Sequence, residues 1–197
     1  MKALLLKDSY VLLKQMKLFL VLMAVFAAVP SSSLVSFAFI YSAMLPYTAL
    51  AFDERAKWDT LATMMPYTSF DIVASKYVLG NLCTGGIFLV AMAGRLVTGR
   101  AKEIPMLLML ASAGLLLMAL TLPLMFKWGV EKGRMFFVFI MVALAMASST
   151  AATFFMGFDA AGKGVSFLLP VCALGVVALC QMVSIRIAVR CYDSRKK

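Results

Sequence analysis

The sequence predicts an all-α, polytopic membrane protein with six transmembrane helices, an N-terminal interfacial helix and a cytoplasmic helix between spans two and three. Of its 197 residues, 63% are hydrophobic and 14% are charged, whereas about a quarter of the residues in an ordinary soluble domain are charged. The apolar residues form uncharged runs of roughly the 20 residues that cross a bilayer. Basic residues flank these runs, as is typical of membrane proteins. We therefore expect a single transmembrane domain over residues 1–197.

Composition also argues against several classes of function. A net charge of +10 could favour nucleic-acid binding, but the basic residues flank apolar runs and form no patch. The chain has no histidine, which removes the commonest general base and metal ligand. The four cysteines have no C-x-x-C spacing, so we expect free thiols and no metal site. No catalytic constellation is present, and we expect neither an enzyme nor a bound cofactor.

Residues 1–17 predict an interfacial helix that leads into the first span. Lys7 and Lys14 are two helical turns apart and share one face, while the leucines and Val11 cover much of the other. Such an amphipathic pattern is typical of a helix at the cytoplasmic membrane surface. A cleaved signal peptide with Leu18 to Ala28 as its apolar core is the alternative. Because the sequence begins at Met1, we expect the segment to be retained.

Six apolar segments have the length of a membrane span. The uncharged run from Leu18 to Phe52 is too long for one crossing at about 1.5 Å per residue, and Pro30-Ser31-Ser32-Ser33 predicts a turn that makes it a hairpin. Pro46, Pro123 and Pro170 lie inside spans two, four and six, where prolines occur both in moving permeases and in static membrane helices. The predicted spans are Val11–Val29, Leu34–Phe52, Tyr77–Val97, Pro105–Phe126, Met135–Met156 and Val165–Val189.

The distribution of lysine and arginine predicts the orientation. With six spans, both termini lie on one side together with residues 53–76 and 127–134. That side holds fifteen of the nineteen basic residues, and Arg95, Arg100, Lys102 and Lys163 lie on the other. The positive-inside rule then places both termini, residues 53–76 and residues 127–134 in the cytoplasm.

Residues 53–76 form a segment with acidic and basic residues between two apolar runs. Trp58, Leu61, Ala62 and Met65 recur at helical spacing and predict one apolar side of a short helix that Pro66 stops. Asp53 or Glu54 would lie near the N-terminus of this helix, where a negative charge interacts favourably with the helix dipole. Thr68-Ser69-Phe70-Asp71 resembles a capping box that starts a second helix. The segment either lies flat on the lipid surface or docks a cytoplasmic partner.

Span five carries small, weakly polar residues, among them Ser148, Ser149, Thr150 and Thr153. Such residues favour close packing of helices, within one chain or across a dimer. A substrate path along this surface is the alternative. The chain has no G-x-x-x-x-G-K-[ST] loop, so it does not bind and hydrolyse ATP by that route alone.

Several motifs resemble the small six-span permeases of type-two ABC exporters. They are Asp53-Glu54 followed by Lys57-Trp58-Asp59, then Met65-Pro66, and Ile72-Val73-x-Ser75-Lys76-Tyr77. Lys127 to Arg134 is similar to that family's cytoplasmic loop between spans four and five, and Leu5-Leu6-Lys7-Asp8 also fits. The resemblance covers nearly the whole chain. It is greatest to exporters of phenol-soluble, amphipathic toxic peptides and of bacteriocins or antimicrobial peptides.

The resemblance implies a bacterial plasma-membrane permease that exports amphipathic peptides and pairs with a second permease chain, identical or different. Two copies of a separate ATPase would bind ATP and Mg²⁺, whereas this chain would bind no cofactor. A substrate-capture subunit of a vitamin importer and a membrane immunity or sensor protein remain as alternatives. The residues that the resemblance assigns to the ATPase-coupling interface are Asp53, Glu54, Lys57, Trp58, Asp59, Leu61, Phe70, Asp71, Lys127, Glu131, Lys132 and Arg134.

Overall fold

The computed structural model describes residues 2–29, 31–100, 103–143 and 165–196. These residues form helices joined by short turns, with no strand among them, as the sequence predicts. The helices are α1 (Lys2–Ala28), α2 (Ser32–Arg55), α3 (Trp58–Thr63), α4 (Ser69–Val97), α5 (Ile104–Trp128), α6 (residues 130–143) and α7 (Val165–Lys196).

Five helices in the described part of the chain are long and apolar enough to cross a membrane. They correspond to predicted spans one to four and six. The predicted fifth span, Met135–Met156, is described only as far as residue 143, so a sixth crossing stays a prediction. The five candidate spans are Leu4–Ala28, Ser33–Arg55, Ser69–Val97, Ile104–Trp128 and Pro170–Ser194.

The N-terminal segment and the first predicted span form one element, and the interfacial position of residues 1–17 stays a prediction. Residues Lys2 to Ala28 form one helix, and the only break in helical geometry within it is at Met16, where φ is −122° and ψ is 22°. Neither glycine nor proline occurs between Lys2 and Ala28, so no residue there stops a helix. The predicted boundary at residue 17 is therefore a kink inside α1.

Asp53 and Glu54 also lie in a different element from the one predicted. They belong to the last turn of α2, which continues to Arg55, and not to the start of α3. The helix ends because Lys57 adopts a left-handed conformation with φ of 50°. The apolar run ends before Asp53, the first charged residue, whereas the helix continues until the backbone turns at Lys57. The sequence pattern therefore predicts the end of this helix too early.

Helix α4 lies at the centre of the bundle and contacts α1, α2, α5 and α7. Hydrogen bonds between buried side chains also link these helices. The Ser42 and Thr84 hydroxyls lie 2.8 Å apart between α2 and α4, and those of Tyr77 and Ser184 lie 2.6 Å apart between α4 and α7. Such bonds satisfy polar groups that lipid would leave without partners.

One end of the bundle, which we call the charged end, brings together the N-terminal ends of α1, α4 and α6 and the C-terminal ends of α2, α5 and α7. Leu4, Ile72, Phe126 and Tyr192 share a buried cluster there. The N-terminal end of α1 and the C-terminal end of α7 thus lie at the same end of the bundle. At the opposite end, Arg95 pairs with Glu103 at 3.0 Å.

Candidate functional site

The predicted charged segment between spans two and three, residues 53–76, folds into a short helix between two turns at the charged end. Helix α3 follows the left-handed Lys57 and ends before a turn over residues 64–66 that contains Pro66. Thr68 then caps α4: its hydroxyl accepts the Asp71 N–H at 3.2 Å, and the Asp71 carboxylate accepts the Thr68 N–H at 3.3 Å. The predicted capping box is therefore confirmed.

The four residues of the predicted apolar side around α3 differ in how far they are buried. Ala62 is buried, and Trp58 is half-buried against the core of the charged end. Leu61 and Met65 are exposed instead, as is Phe70 at the start of α4. A helix of fewer than two turns cannot bury all four predicted apolar residues against one neighbour, so Leu61 and Met65 remain available for another contact. The backbone of Asp59 lies in α3, and its side chain is outside the described part of the structure.

Four charged side chains from α1, α2 and α4 form a network beneath α3. Lys76 is only 1% exposed, and its Nζ lies 2.7 Å from Asp8 Oδ2 and 2.5 Å from Asp53 Oδ2. Lys7 Nζ lies 2.7 Å from Asp53 Oδ1 and 3.1 Å from Asp8 Oδ1. The same ammonium group lies 3.9 Å from the centroid of the Trp58 ring. We call Lys7, Asp8, Asp53 and Lys76 the ionic network.

The ionic network balances its own charge. Two lysines face two aspartates, and a buried charge is tolerated only when partners of opposite sign replace the water it has lost. Stacking of Lys7 on Trp58 adds a cation–π contact. The network therefore fixes the positions of α1, α2, α3 and α4 relative to one another at the charged end.

Glu54 connects the charged segment to the start of α6. Its Oε2 accepts the N–H of Val130 at 3.1 Å, which satisfies one of the backbone donors that a helix N-terminus leaves free. Gly129 before it has φ of 80°, a conformation that suits glycine. Beside this contact lies a hollow of about 410 Å³, lined in part by Arg55, Trp128, Glu131 and Lys132.

The structure brings the two predicted cytoplasmic segments together, but not all of their residues face solvent in the same way. Asp53 is turned into the ionic network, and Glu54 holds α6. Asp71 caps α4. Ser148, Ser149, Thr150 and Thr153 lie outside the described residues. The predicted residues with exposed side chains are Glu54, Lys57, Leu61, Phe70, Lys127, Glu131, Lys132 and Arg134.

Sequence reasoning missed the roles of Lys7, Asp8 and Lys76. The available signal was weak: Lys7 and Asp8 are adjacent charges in an otherwise apolar stretch, and Lys76 interrupts the apolar start of α4. No group of three or more His, Cys, Asp or Glu side chains that could hold a metal ion occurs among the described residues.

A family model described as "ABC-2 family transporter protein" matches residues 3–193. The chain belongs to the ABC-2 transporter family. Searches of curated proteins and of solved structures found no match. As an ABC-2 permease, the chain is the multi-pass membrane component of an ABC transporter, and its family works with an ABC ATPase. The family match favours the permease interpretation over a vitamin-capture subunit or an immunity protein.

Proposed function

We propose that this ABC-2 permease exports amphipathic or hydrophobic peptides, and that its partner ATPase docks on α3 at the charged end. One observation carries the proposal: α3 buries Ala62 in the bundle and leaves Leu61 47% exposed, and Met64 in the turn after α3 is 85% exposed. The sequence has no nucleotide-binding loop of its own. An exposed apolar helix face at the end of the bundle richest in charge fits a groove on another protein.

The residues around α3 support docking of a protein over contact with lipid alone. Leu61 and Met64 supply an apolar centre, and the exposed Lys57, Lys127 and Lys132 lie in the predicted cytoplasmic segments that meet at the charged end. Interfaces commonly combine a buried apolar centre with a polar rim. The proposed ATPase surface is therefore an apolar groove with acidic residues at its edge. Two permease chains, two ATPase chains, and ATP with Mg²⁺ bound by the partner complete the proposal.

A groove on the side of the bundle supports an amphipathic cargo. It has a volume of about 420 Å³, lies between α2, α5 and α6, and is lined by Met44, Met125 and Met141 together with aromatic side chains. Arg134 lines it too. Flexible methionine side chains adapt to apolar surfaces of varied shape, and Arg134 provides a charged contact for the polar side of a peptide.

Leu61→Ala tests the docking proposal in the permease co-expressed with its co-encoded ATPase. Truncation of an apolar anchor at an interface costs about 2 kcal/mol, roughly thirtyfold in Kd. We expect that loss of affinity in a pull-down titration, together with reduced peptide-stimulated ATP hydrolysis and unchanged membrane insertion. Leu89→Ala on the exposed side of α4 is the matched control and should leave the Kd unchanged. Equal Kd values for Leu61→Ala and the wild-type protein would favour a helix that lies flat on lipid.

A further inference from the structure

The ionic network connects α3 to α1, an element that the proposed docking surface does not include. Lys7 on α1 contacts both Asp53 at the end of α2 and the Trp58 ring on α3. Lys76 on α4 contacts both Asp8 on α1 and Asp53. The first turns of α1 are thus held to α3 through Lys7 and to α2 and α4 through Lys76.

We propose that Lys7 and Lys76 are positioning residues that pass a displacement of α3 to the N-terminal half of α1, so that α1 moves with the docked ATPase. This proposal rests on the proposed function, because it requires a partner at α3. Lys76 and Asp8 are 1% and 2% exposed, and separation of buried partners leaves a charge without compensation. A shift of Trp58 or Asp53 therefore carries the opposite charges, and with them α1, along with it.

The shape of α1 fits this role. Its helical geometry is interrupted at Met16, between the turns that bear Lys7 and Asp8 and the apolar length that crosses the bundle. Hinges in moving proteins are a few residues that absorb a change in φ and ψ, and we assign that role to Met16. The N-terminal half of α1 can therefore follow α3 without moving the rest of the helix as a rigid rod.

A variant at Lys7 distinguishes a positioning role from a role in stability alone. Its side chain is 24% exposed, and its removal leaves the buried contacts of Lys76 with Asp8 and Asp53 in place. A purely structural Lys7 would change stability alone. A positioning Lys7 also changes how ATP hydrolysis responds to cargo while the ATPase remains bound.

The test uses Lys7→Met in the full permease, reconstituted in vesicles with its co-encoded ATPase and a synthetic amphipathic helical peptide as the probe. We expect the ATPase to bind with unchanged Kd and peptide-stimulated hydrolysis to fall about fivefold or more, the range of typical coupling between sites. Lys7→Arg should restore stimulation because a guanidinium keeps the charge and stacks on Trp58. Lys14→Met, on the same face of α1, is the control and should behave as wild type.

A distance measurement supplies the second readout. Spin labels at Leu6 on α1 and Ile187 on α7, both exposed, should show a shift in distance when a non-hydrolysable ATP analogue is added to the wild-type complex. Lys7→Met should abolish the shift while the ATPase stays bound. If Lys7→Met does not insert, Lys7→Gln replaces it, since this variant removes the charge and keeps a polar side chain.

The outcomes distinguish the two proposals. A wild-type permease that binds no co-encoded ATPase contradicts the proposed function. Normal ATPase binding with wild-type stimulation and a wild-type distance shift in Lys7→Met contradicts the positioning role alone.

Discussion

At the scale of single residues, Lys76 is the most consequential side chain at the charged end. Its position at the start of an apolar run predicts a cytoplasmic charge near the membrane surface, but its ammonium group lies inside the bundle between two carboxylates. The contact with Asp8 joins residues 68 positions apart. No local pattern indicates such a pair, whereas the Thr68–Asp71 capping box joins residues only three positions apart, and the sequence predicts it.

Lys76→Met should lower the free energy of unfolding by about 3–5 kcal/mol, because it leaves the buried Asp8 and the partly buried Asp53 facing one remaining lysine. The double variant Asp8→Asn/Lys76→Met should lose less, since Lys7 and Asp53 remain as a balanced pair. Chemical unfolding in detergent micelles measures both, with Lys14→Met as the exposed control. Equal losses in the single and double variants would show that charge balance is not what the network supplies.

At the scale of elements, apolar runs and turn residues predicted most helices, and their ends differ for identifiable reasons. The helix predicted to start at the capping box runs into predicted span three, which begins at Tyr77, and α4 accordingly begins at Ser69. The predicted N-terminal helix leads into span one without interruption because no residue stops α1. The divided faces of α3 could not be predicted, since burial of Ala62 and exposure of Leu61 depend on how the neighbouring helices lie.

Gly94→Ala should destabilise the contact between α1 and α4. A Cβ at Gly94 would lie 2.6 Å from the carbonyl oxygen of Ala28, so the two helices would have to separate, at a cost of about 1–3 kcal/mol. Gly85→Ala in the same helix meets no atom within 4 Å and is the matched control. Thermal unfolding in nanodiscs should show a lower midpoint for Gly94→Ala alone. Equal midpoints would mean that α1 and α4 do not approach so closely.

At the scale of the whole molecule, most ionic contacts among the described residues lie at one end of the bundle. The charged end holds the ionic network, the contact of Glu54 with α6, and the exposed face of α3, whereas apolar packing and a few hydrogen bonds hold the helices between the ends. Composition and the distribution of basic residues predicted a multi-pass membrane protein with most of its basic residues on one side. The contacts that connect α3 to α1 join residues far apart in the sequence, so only the structure shows them.

Docking of the ATPase at the charged end is tested most directly by photo-crosslinking in cells that co-express the permease with its co-encoded ATPase. A photoreactive residue is placed in turn at Leu61 on the exposed face of α3, at Met64 in the turn that follows it, and at Val97, which is 87% exposed at the opposite end. We expect covalent adducts with the ATPase from Leu61 and Met64 and none from Val97. An assembled complex that gives no adduct from Leu61 or Met64, or that gives one from Val97, would contradict docking at α3.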